Sequence, residues 1–144
     1  MGKKRIARKG GEGGDAGLRE RSAARVPKRR LEHGILNIEA TYNNTKVALC
    51  DGKGNPLIWS SSGSLGFKGA KKGTPFAAAK VGELLAEKAE TMGLKEVDVV
   101  IKGVGSGRES AMRAFVSKGI VLGTIRAATP VPFNGPRRPR ARRI

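Results

Sequence analysis

The 144-residue sequence has few of the residues that build disulfides and metal sites. It contains one cysteine, Cys50, and one histidine, His33. A single cysteine excludes an intrachain disulfide, and two such side chains are too few for the usual zinc site with four N or S ligands. We therefore expect no metal and no cofactor. We expect Cys50 to lie buried in a strand as a small apolar residue.

Long apolar runs are also missing. No segment approaches the ~18 consecutive apolar residues of a membrane-spanning helix. The N-terminal segment lacks the apolar core of a secretory signal, and its acids, Glu12, Asp15, Glu20 and Glu32, do not suit an organelle-targeting peptide. These absences predict a protein of a reducing, intracellular compartment.

Acidic residues are scarce relative to basic ones. The chain has 29 Lys and Arg against 12 Asp and Glu, a formal net charge of +17. Such an excess indicates a polyanionic partner, and nucleic acid is the leading candidate because phosphate neutralisation dominates its binding. An anionic membrane surface is the second candidate, but neither predicted helix is basic enough to lie on one.

The positive charge is concentrated at the two ends of the chain. Residues 1–34 hold 11 bases and 4 acids, residues 35–126 hold 13 and 8, and residues 127–144 hold 5 bases and no acid. The first part has too few bulky apolar residues to fold alone, and four prolines keep the last part extended. The predicted domains are a basic, disordered extension over 1–33, a globular α/β domain over 34–126, and an extended Pro/Arg-rich RNA-binding tail over 127–144.

The middle part has the hydrophobic periodicity of alternating strands and helices. The predicted elements are strands over 36–41, 46–51 and 56–62, a helix over 76–92, a strand over 97–101, a helix from about Arg108, and a strand over 120–125. Thr74 can cap the first helix, with Pro75 at its first position. The order β-β-β-α-β-α-β predicts an α/β fold: a mixed five-stranded sheet of ribonuclease H-like topology, with helices packed on it and extended basic tails.

Two loops, 62–73 and 102–107, combine glycines, basic residues and the start of a helix. Glycine lets a phosphate approach the backbone, and the N–H groups of a helix N-terminus favour an anion. The candidate phosphate ligands in and beside these loops are Lys68, Lys71, Lys72, Lys102 and Arg108. In the tail, the guanidinium groups can bind successive phosphates along an RNA groove. They belong to Arg137, Arg138, Arg140, Arg142 and Arg143.

Enzymatic alternatives need residues that this sequence does not bring together. The P-loop spacing is absent, and Arg108 occupies the third glycine position of the dinucleotide motif. A nuclease of the same topology would need carboxylates clustered around metal ions, and the candidates are Glu39, Glu83 and Asp98. We interpret these three as solvated charges and His33 as a linker residue, and we predict no catalytic residue.

Aromatic residues are few. Trp59, Phe76 and Phe115 lie in core-like patterns, whereas Phe67 and Phe133 lie in basic loops. There they either stack on an unpaired base or pack against the domain. The sequence therefore favours recognition of folded RNA by shape and phosphate over the aromatic platform of a single-strand binder.

Several short motifs occur in order along the chain. They are Asn43-Asn44-Thr45, Gly66-Phe67-Lys68-Gly69, Gly73-Thr74-Pro75-Phe76-Ala77-Ala78, Lys102-Gly103, Gly107-Arg108-Glu109-Ser110, Arg113-Ala114 and Thr129-Pro130-Val131-Pro132-Phe133-Asn134-Gly135. From about Gly34 to Ile144 the sequence resembles the universal small-subunit ribosomal protein S11 family, in its bacterial form.

The resemblance implies a non-catalytic ribosomal protein that supports translation in the cytoplasm. The implied partners are small-subunit ribosomal RNA and neighbouring platform proteins, with mRNA near its exit path as a further candidate, and neither DNA nor a membrane. Residues of the matching motifs and one cation before the tail complete the predicted rRNA-binding set. They are Asn43, Asn44, Arg113, Arg126 and Asn134.

The sequence also departs from the family pattern. Val104 and Ser106 stand where the family often has proline, and Phe133 stands where a histidine commonly precedes the Asn-Gly pair. Pro136 and Arg138 alter the usual tail. Asn134-Gly135 either forms a plain turn or converts to isoaspartate, because glycine offers no side-chain barrier to attack by its own amide nitrogen. The long basic N-terminal extension either adds RNA contacts or stays unstructured.

Overall fold

A computed structural model describes Pro27 and residues 29–143 of the chain. Its strands are β1 (His33–Ala40), β2 (Thr45–Cys50), β3 (Pro56–Ser61), β4 (Glu96–Lys102) and β5 (Val121–Ala127), and its helices are α1 (Pro75–Thr91) and α2 (Gly107–Val116). The predicted order of elements is confirmed. A short 3₁₀ helix, Gly69–Gly73, precedes α1 and was not predicted.

The five strands form one mixed sheet in the order β3-β2-β1-β4-β5. β1 pairs antiparallel with β2, and β2 pairs antiparallel with β3, whereas β1–β4 and β4–β5 are parallel. The carboxyl ends of β1, β3, β4 and β5 therefore lie at one edge of the sheet, together with the start of β2. The segments that follow these strands meet at that edge.

Both helices pack on one face of the sheet and against each other. Alternate residues of the central strands, such as Leu36, Ile38 and Leu49, are buried under Leu85 of α1 and Phe115 of α2. Burying one such side chain stabilises a fold by about 1.5–3 kcal/mol. The resulting core makes the sheet a rigid support for its loops.

The opposite face of the sheet, here called the open face, is covered by no described element. Trp59 lies there with 66% of its surface exposed, because its neighbours Ile58 and Ser60 take the buried positions of β3. The core assignment of Trp59 is therefore wrong. Phe76, on the first turn of α1, is 64% exposed and was also misassigned, whereas Phe115 is confirmed as core. Cys50 is buried at the end of β2, as predicted.

Asp98 stabilises an irregular point in β5. The register between β4 and β5 shifts between Val97 and Val99. Oδ1 of Asp98 accepts hydrogen bonds from the backbone N–H and the hydroxyl of Thr124, both at 2.8 Å. These bonds, followed by the nearby charge of His33, lower the pKa of Asp98 below its ordinary value.

His33 is part of the sheet and not of a linker. It is the first residue of β1, and its Nε2 lies 3.3 Å from Oδ2 of Asp98. Tertiary contacts of the domain begin slightly earlier, because the Leu31 N–H donates to the Met92 carbonyl at 3.0 Å. Most of the predicted N-terminal extension, residues 1–26 and 28, lies outside the described residues. Among the described residues, no helix has the length and apolar character needed to cross a membrane.

Candidate nucleic-acid interface

Three loops and the C-terminal tail meet at the edge of the sheet where the parallel strands end. The loops are 41–44, 62–74 and 103–106, and the tail leaves β5 where the Ala128 N–H donates to the Ile101 carbonyl at 2.9 Å. We call this edge the basic end. It is defined by Lys68, Lys71, Lys72, Lys102 and Arg108.

The turn between β1 and β2 holds the two basic loops together. A Cβ atom at Gly73 would overlap the Tyr42 carbonyl oxygen, and one at Gly105 would overlap the carbonyl oxygen of Thr41. The Ser106 hydroxyl donates to the Gly73 carbonyl at 3.0 Å, which joins one loop directly to the other. The spacing between their cations is therefore set by backbone contacts.

The buried hydroxyl of Ser62 organises the first basic loop. Its Oγ donates to the Lys72 carbonyl at 2.7 Å or to Oδ1 of Asn44, and it accepts from the Thr45 N–H at 3.2 Å. The predicted RNA ligand Asn44 is thus engaged within the protein, whereas the adjacent Asn43 is exposed. The hydrogen bond from Ser62 therefore fixes the position of the Lys72 backbone.

The 3₁₀ helix and the cap of α1 position the remaining lysines of this loop. Lys71 and Lys72 lie in the last turn of the 3₁₀ helix, and Lys68 precedes it. The hydroxyl of Thr74 accepts from the Ala77 N–H, so Thr74 caps α1 as predicted. Lys68 and Lys71 project from the surface, and Lys72 is half-buried.

The second basic loop places cations at the start of α2. Lys102 is exposed at the end of β4, and Arg108 is half-buried in the first turn of α2. Arg113 lies about one turn further on, with its Nη2 atom 3.0 Å from the Glu109 carboxylate. Arg126 lies on β5, close enough to Asp98 for its charge to lower the pKa of that carboxyl. Of these two predicted ligands, Arg113 is therefore already engaged by an acid and Arg126 lies near one.

Three lysines away from the basic end lie beside acids. Lys80 is 2.7 Å from Glu83, Lys95 is 3.5 Å from Glu32 and Lys118 is 3.4 Å from Glu87. Within the part of the chain that the structure describes, the five cations of the basic end have no carboxylate within 4.0 Å. Like charges gathered without counter-ions repel one another, so a polyanion at this edge relieves that repulsion.

The tail over 128–143 is exposed and forms neither helix nor strand, apart from partial burial of Ala128. Its five arginines, Arg137, Arg138, Arg140, Arg142 and Arg143, are all exposed. Asn134 has a φ of 53°, which is typical of a turn. Whether Asn134 converts to isoaspartate stays a prediction that peptide mapping can test.

The two loop aromatics differ in their surroundings. The Phe67 ring packs edge-to-face against Phe76, with ring centroids 6.1 Å apart, and contacts the core. Of the two alternatives for Phe67, the structure therefore shows the packed one. Phe133 in the tail is almost fully exposed.

The three carboxylates weighed for a nuclease lie apart. Glu39 is exposed on β1, Glu83 pairs with Lys80 on α1, and Asp98 is held by Thr124 and His33. The described residues include no group of three His, Cys, Asp or Glu side chains that could hold a metal ion. The arrangement does not provide the carboxylate cluster that metal-assisted hydrolysis needs.

A rigid α/β domain with two basic loops and an arginine-rich tail at one end has the charge arrangement of a polyanion-binding protein. The sequence model of a family described as Ribosomal protein S11 matches residues 34–143. The chain therefore belongs to the ribosomal protein S11 family. Its family makes it a non-enzymatic structural component of the small ribosomal subunit, with ribosomal RNA and ribosomal proteins as partners.

Sequence reasoning missed two features of this region. Ser62 was assigned to a strand end, although the serine-rich run 60–64 signals side-chain to backbone hydrogen bonding in a turn. Trp59 was placed in the core, although strict alternation from Ile58 and Ser60 puts it on the open face. Tertiary contacts between distant loops leave no comparable local signal.

Proposed function

We propose that the basic end and the C-terminal tail bind small-subunit ribosomal RNA at the platform, near the mRNA exit path. The observation that carries this proposal is the meeting of two basic loops and the tail at one edge of the sheet. Membership of a ribosomal family supports an RNA partner. By holding RNA segments close together, the protein helps the platform stay compact.

The proposed phosphate contacts are of two kinds: those of lysine ammonium groups in the loops and those of arginine guanidinium groups in the tail. The ammonium groups of Lys68, Lys71 and Lys102 neutralise phosphates that approach the Gly-rich loops. The half-buried Lys72 and Arg108 add positive charge to the same surface. The tail arginines bind phosphates along a groove, because an extended chain spaces its side chains regularly. Such contacts position the protein by the shape of the RNA and do not read its sequence.

The wider set of proposed RNA ligands comprises the exposed Asn43, the turn residues Asn44 and Asn134, and the flanking cations Arg113 and Arg126. Arg113 would have to exchange its Glu109 partner for a phosphate. Exchange is inexpensive, because an exposed ion pair of this kind contributes about 0.3–0.5 kcal/mol. Neighbouring platform proteins are the second class of proposed partner, and mRNA near its exit path is the third.

Incorporation into small subunits tests the proposal with two charge-matched triple variants of the full chain. The first changes Lys68, Lys71 and Lys102 to Gln, which removes three cations of the basic end. The control changes Lys53, Lys95 and Lys118 to Gln at the opposite end of the sheet. Both variants lose the same charge, so a difference between them reports position and not net charge.

The expected result is that the control co-sediments with small subunits at the wild-type level when both proteins compete for assembly. The basic-end variant is expected to be largely displaced by the wild-type chain. Equal incorporation of the two variants would overturn the assignment of the basic end. Absence of the wild-type chain from small subunits would overturn the proposed function as a whole.

A further inference from the structure

The open face of the sheet carries a small cleft beside Trp59. Strand register places Asn37, Ala48 and Trp59 side by side on β1, β2 and β3. Ala48 has a short side chain, so the indole stands above its neighbours. A cleft of about 240 Å³ lies against the indole, lined by Asn37, Glu39, Lys46, Val47, Ala48 and Trp59.

The cleft suits one flat ring system. Its volume lies below the roughly 300–1,000 Å³ typical of pockets that enclose whole small molecules. Trp59 lines the cleft and is 66% exposed, and its indole is a large π-surface. The amide of Asn37 donates to Cys50 Sγ at 3.2 Å, which fixes its orientation and leaves its carbonyl oxygen as an acceptor.

Charge relates this cleft to the basic end. Lys46 and Glu39 form the row of the open face nearest to that edge, and Lys102 lies beside Glu39 on β4. Within the described chain, neither Lys46 nor Lys102 has a carboxylate within 4.0 Å. A nucleotide whose phosphate lies near these two ammonium groups can place its base against the indole of Trp59.

We propose that the cleft holds one unpaired base of the RNA, stacked on Trp59 and contacted by Asn37. The inference rests on the proposed function, because the same RNA chain occupies the basic end. RNA is favoured over a protein segment because Lys46 and Lys102 are continuous with the phosphate-binding edge. Stacking of single-stranded bases on an aromatic side chain of a sheet surface is a general mode of RNA recognition.

Trp59 is the sole tryptophan of the chain, so its fluorescence reports directly on the cleft. The full chain is titrated with two probes, a single-stranded oligoadenylate and a fully paired RNA duplex of equal length. The single strand is expected to quench the fluorescence of Trp59, because a base stacked on the indole deactivates its excited state. The duplex is expected to bind through the basic end and to leave the indole emission nearly unchanged.

Filter binding of small-subunit RNA by variants gives the second readout. Trp59→Ala is expected to weaken binding by roughly 5- to 150-fold, the range for one lost base–aromatic stack. Trp59→Phe keeps a stacking face and should recover much of that loss. Val121→Ala is the control, since Val121 is 62% exposed and lies at the start of β5, at the end opposite the basic end. Far-UV circular dichroism confirms that each variant is folded.

Three outcomes would overturn the inference. The first is wild-type RNA binding without quenching, which leaves the proposed function standing. The second is equal affinity of Trp59→Ala and Val121→Ala. The third is an emission change that small-subunit proteins produce and RNA does not, which assigns the cleft to a protein partner. Loss of all RNA binding by the wild-type chain would instead contradict the proposed function.

Discussion

Two neighbouring buried hydroxyl groups, of Thr45 at the start of β2 and of Ser62 after the end of β3, differ in their hydrogen bonding. Ser62 Oγ bonds with Asn44, Thr45 and Lys72 and is fully buried. The hydroxyl of Thr45 is also fully buried but, among the described residues, has no hydrogen-bond partner. It lies beneath Gly107, where a Cβ atom would come within 2.5 Å of it. A buried polar atom without a partner reduces stability.

Replacing Thr45 with Val removes this hydroxyl and keeps the branched shape. We expect the free energy of unfolding to rise by about 1 kcal/mol, because the cost of desolvating an unpaired hydroxyl disappears. Urea unfolding followed by circular dichroism measures the change. Ser62→Ala is the contrasting variant and should lose about 1–3 kcal/mol, since it leaves its partners unsatisfied. A large loss for Thr45→Val would show that its hydroxyl has a role that this account lacks.

Single residues also show how far sequence reasoning reaches. Cys50 and Phe115 were predicted to be buried because each lies in an apolar stretch of its own element. Trp59 and Phe76 were misassigned, because the period of two along β3 and the helical period of α1 place them off the buried faces of their elements. The contact between His33 and Asp98 joins residues 65 positions apart on neighbouring parallel strands. No local pattern predicts such a contact.

At the scale of elements, the β1–β2 turn couples the two basic loops through close backbone contacts. Gly105→Ala should cost about 1–3 kcal/mol of stability, because the new methyl group overlaps the Thr41 carbonyl and the turn must shift. The shift should also weaken RNA binding, since it moves Ser106 away from Gly73. Thermal unfolding and filter binding measure the two effects.

Gly52→Ala provides the matched control for that substitution. Gly52 lies in the β2–β3 turn at the opposite end, and a Cβ atom there meets no atom within 4 Å. Its effect on stability should stay within about 0.5 kcal/mol, as for most surface changes. If both glycine variants behave alike, the loops are not coupled through the turn.

The bulge in β5 should make part of the stability of the protein depend on pH. The folded-state pKa of Asp98 is lowered from 3.8, first by the backbone N–H of Thr124 and then by its hydroxyl. A lowered pKa means stability that is present above 3.8 and is lost as the pH falls through the folded-state value. Asp98→Ala should therefore be less stable than wild type near neutral pH, and the difference should shrink in acid.

Urea unfolding of both proteins across this pH range measures the difference. Glu83→Ala serves as the control, because Glu83 forms only a surface pair with Lys80. A wild-type advantage that persists unchanged below the folded-state pKa of Asp98 would contradict the proposed role of this carboxylate.

The ends of a helix were predicted well where local residues determine them. Thr74 and Pro75 mark the start of α1, and Gly93, with a φ of 79°, follows its end. The strand bounds differ from the prediction by up to three residues, because pairing with neighbours extends β1 back to His33. The 3₁₀ helix was missed because its Gly- and Lys-rich sequence has no apolar periodicity.

At the scale of the whole molecule, topology brings the cations together. Each cation of the basic end was identified from its glycine-rich loop. Their convergence follows from the order and directions of the strands, which bring the ends of β1, β3, β4 and β5 together. Arg126 lies opposite Val100 near the end of β5, where its charge also lowers the pKa of Asp98. The sequence therefore identified the cationic residues well but did not predict their positions in the folded protein.

The salt dependence of binding to small-subunit ribosomal RNA tests the central claim most directly. It compares the full chain with a variant in which Arg137, Arg138, Arg140, Arg142 and Arg143 are all Ala. The account predicts that the logarithm of the wild-type association constant falls steeply and linearly with the logarithm of salt concentration. Each lost phosphate contact should flatten the slope by about 0.7–0.9. A flat wild-type response, or identical slopes for the two proteins, would contradict it.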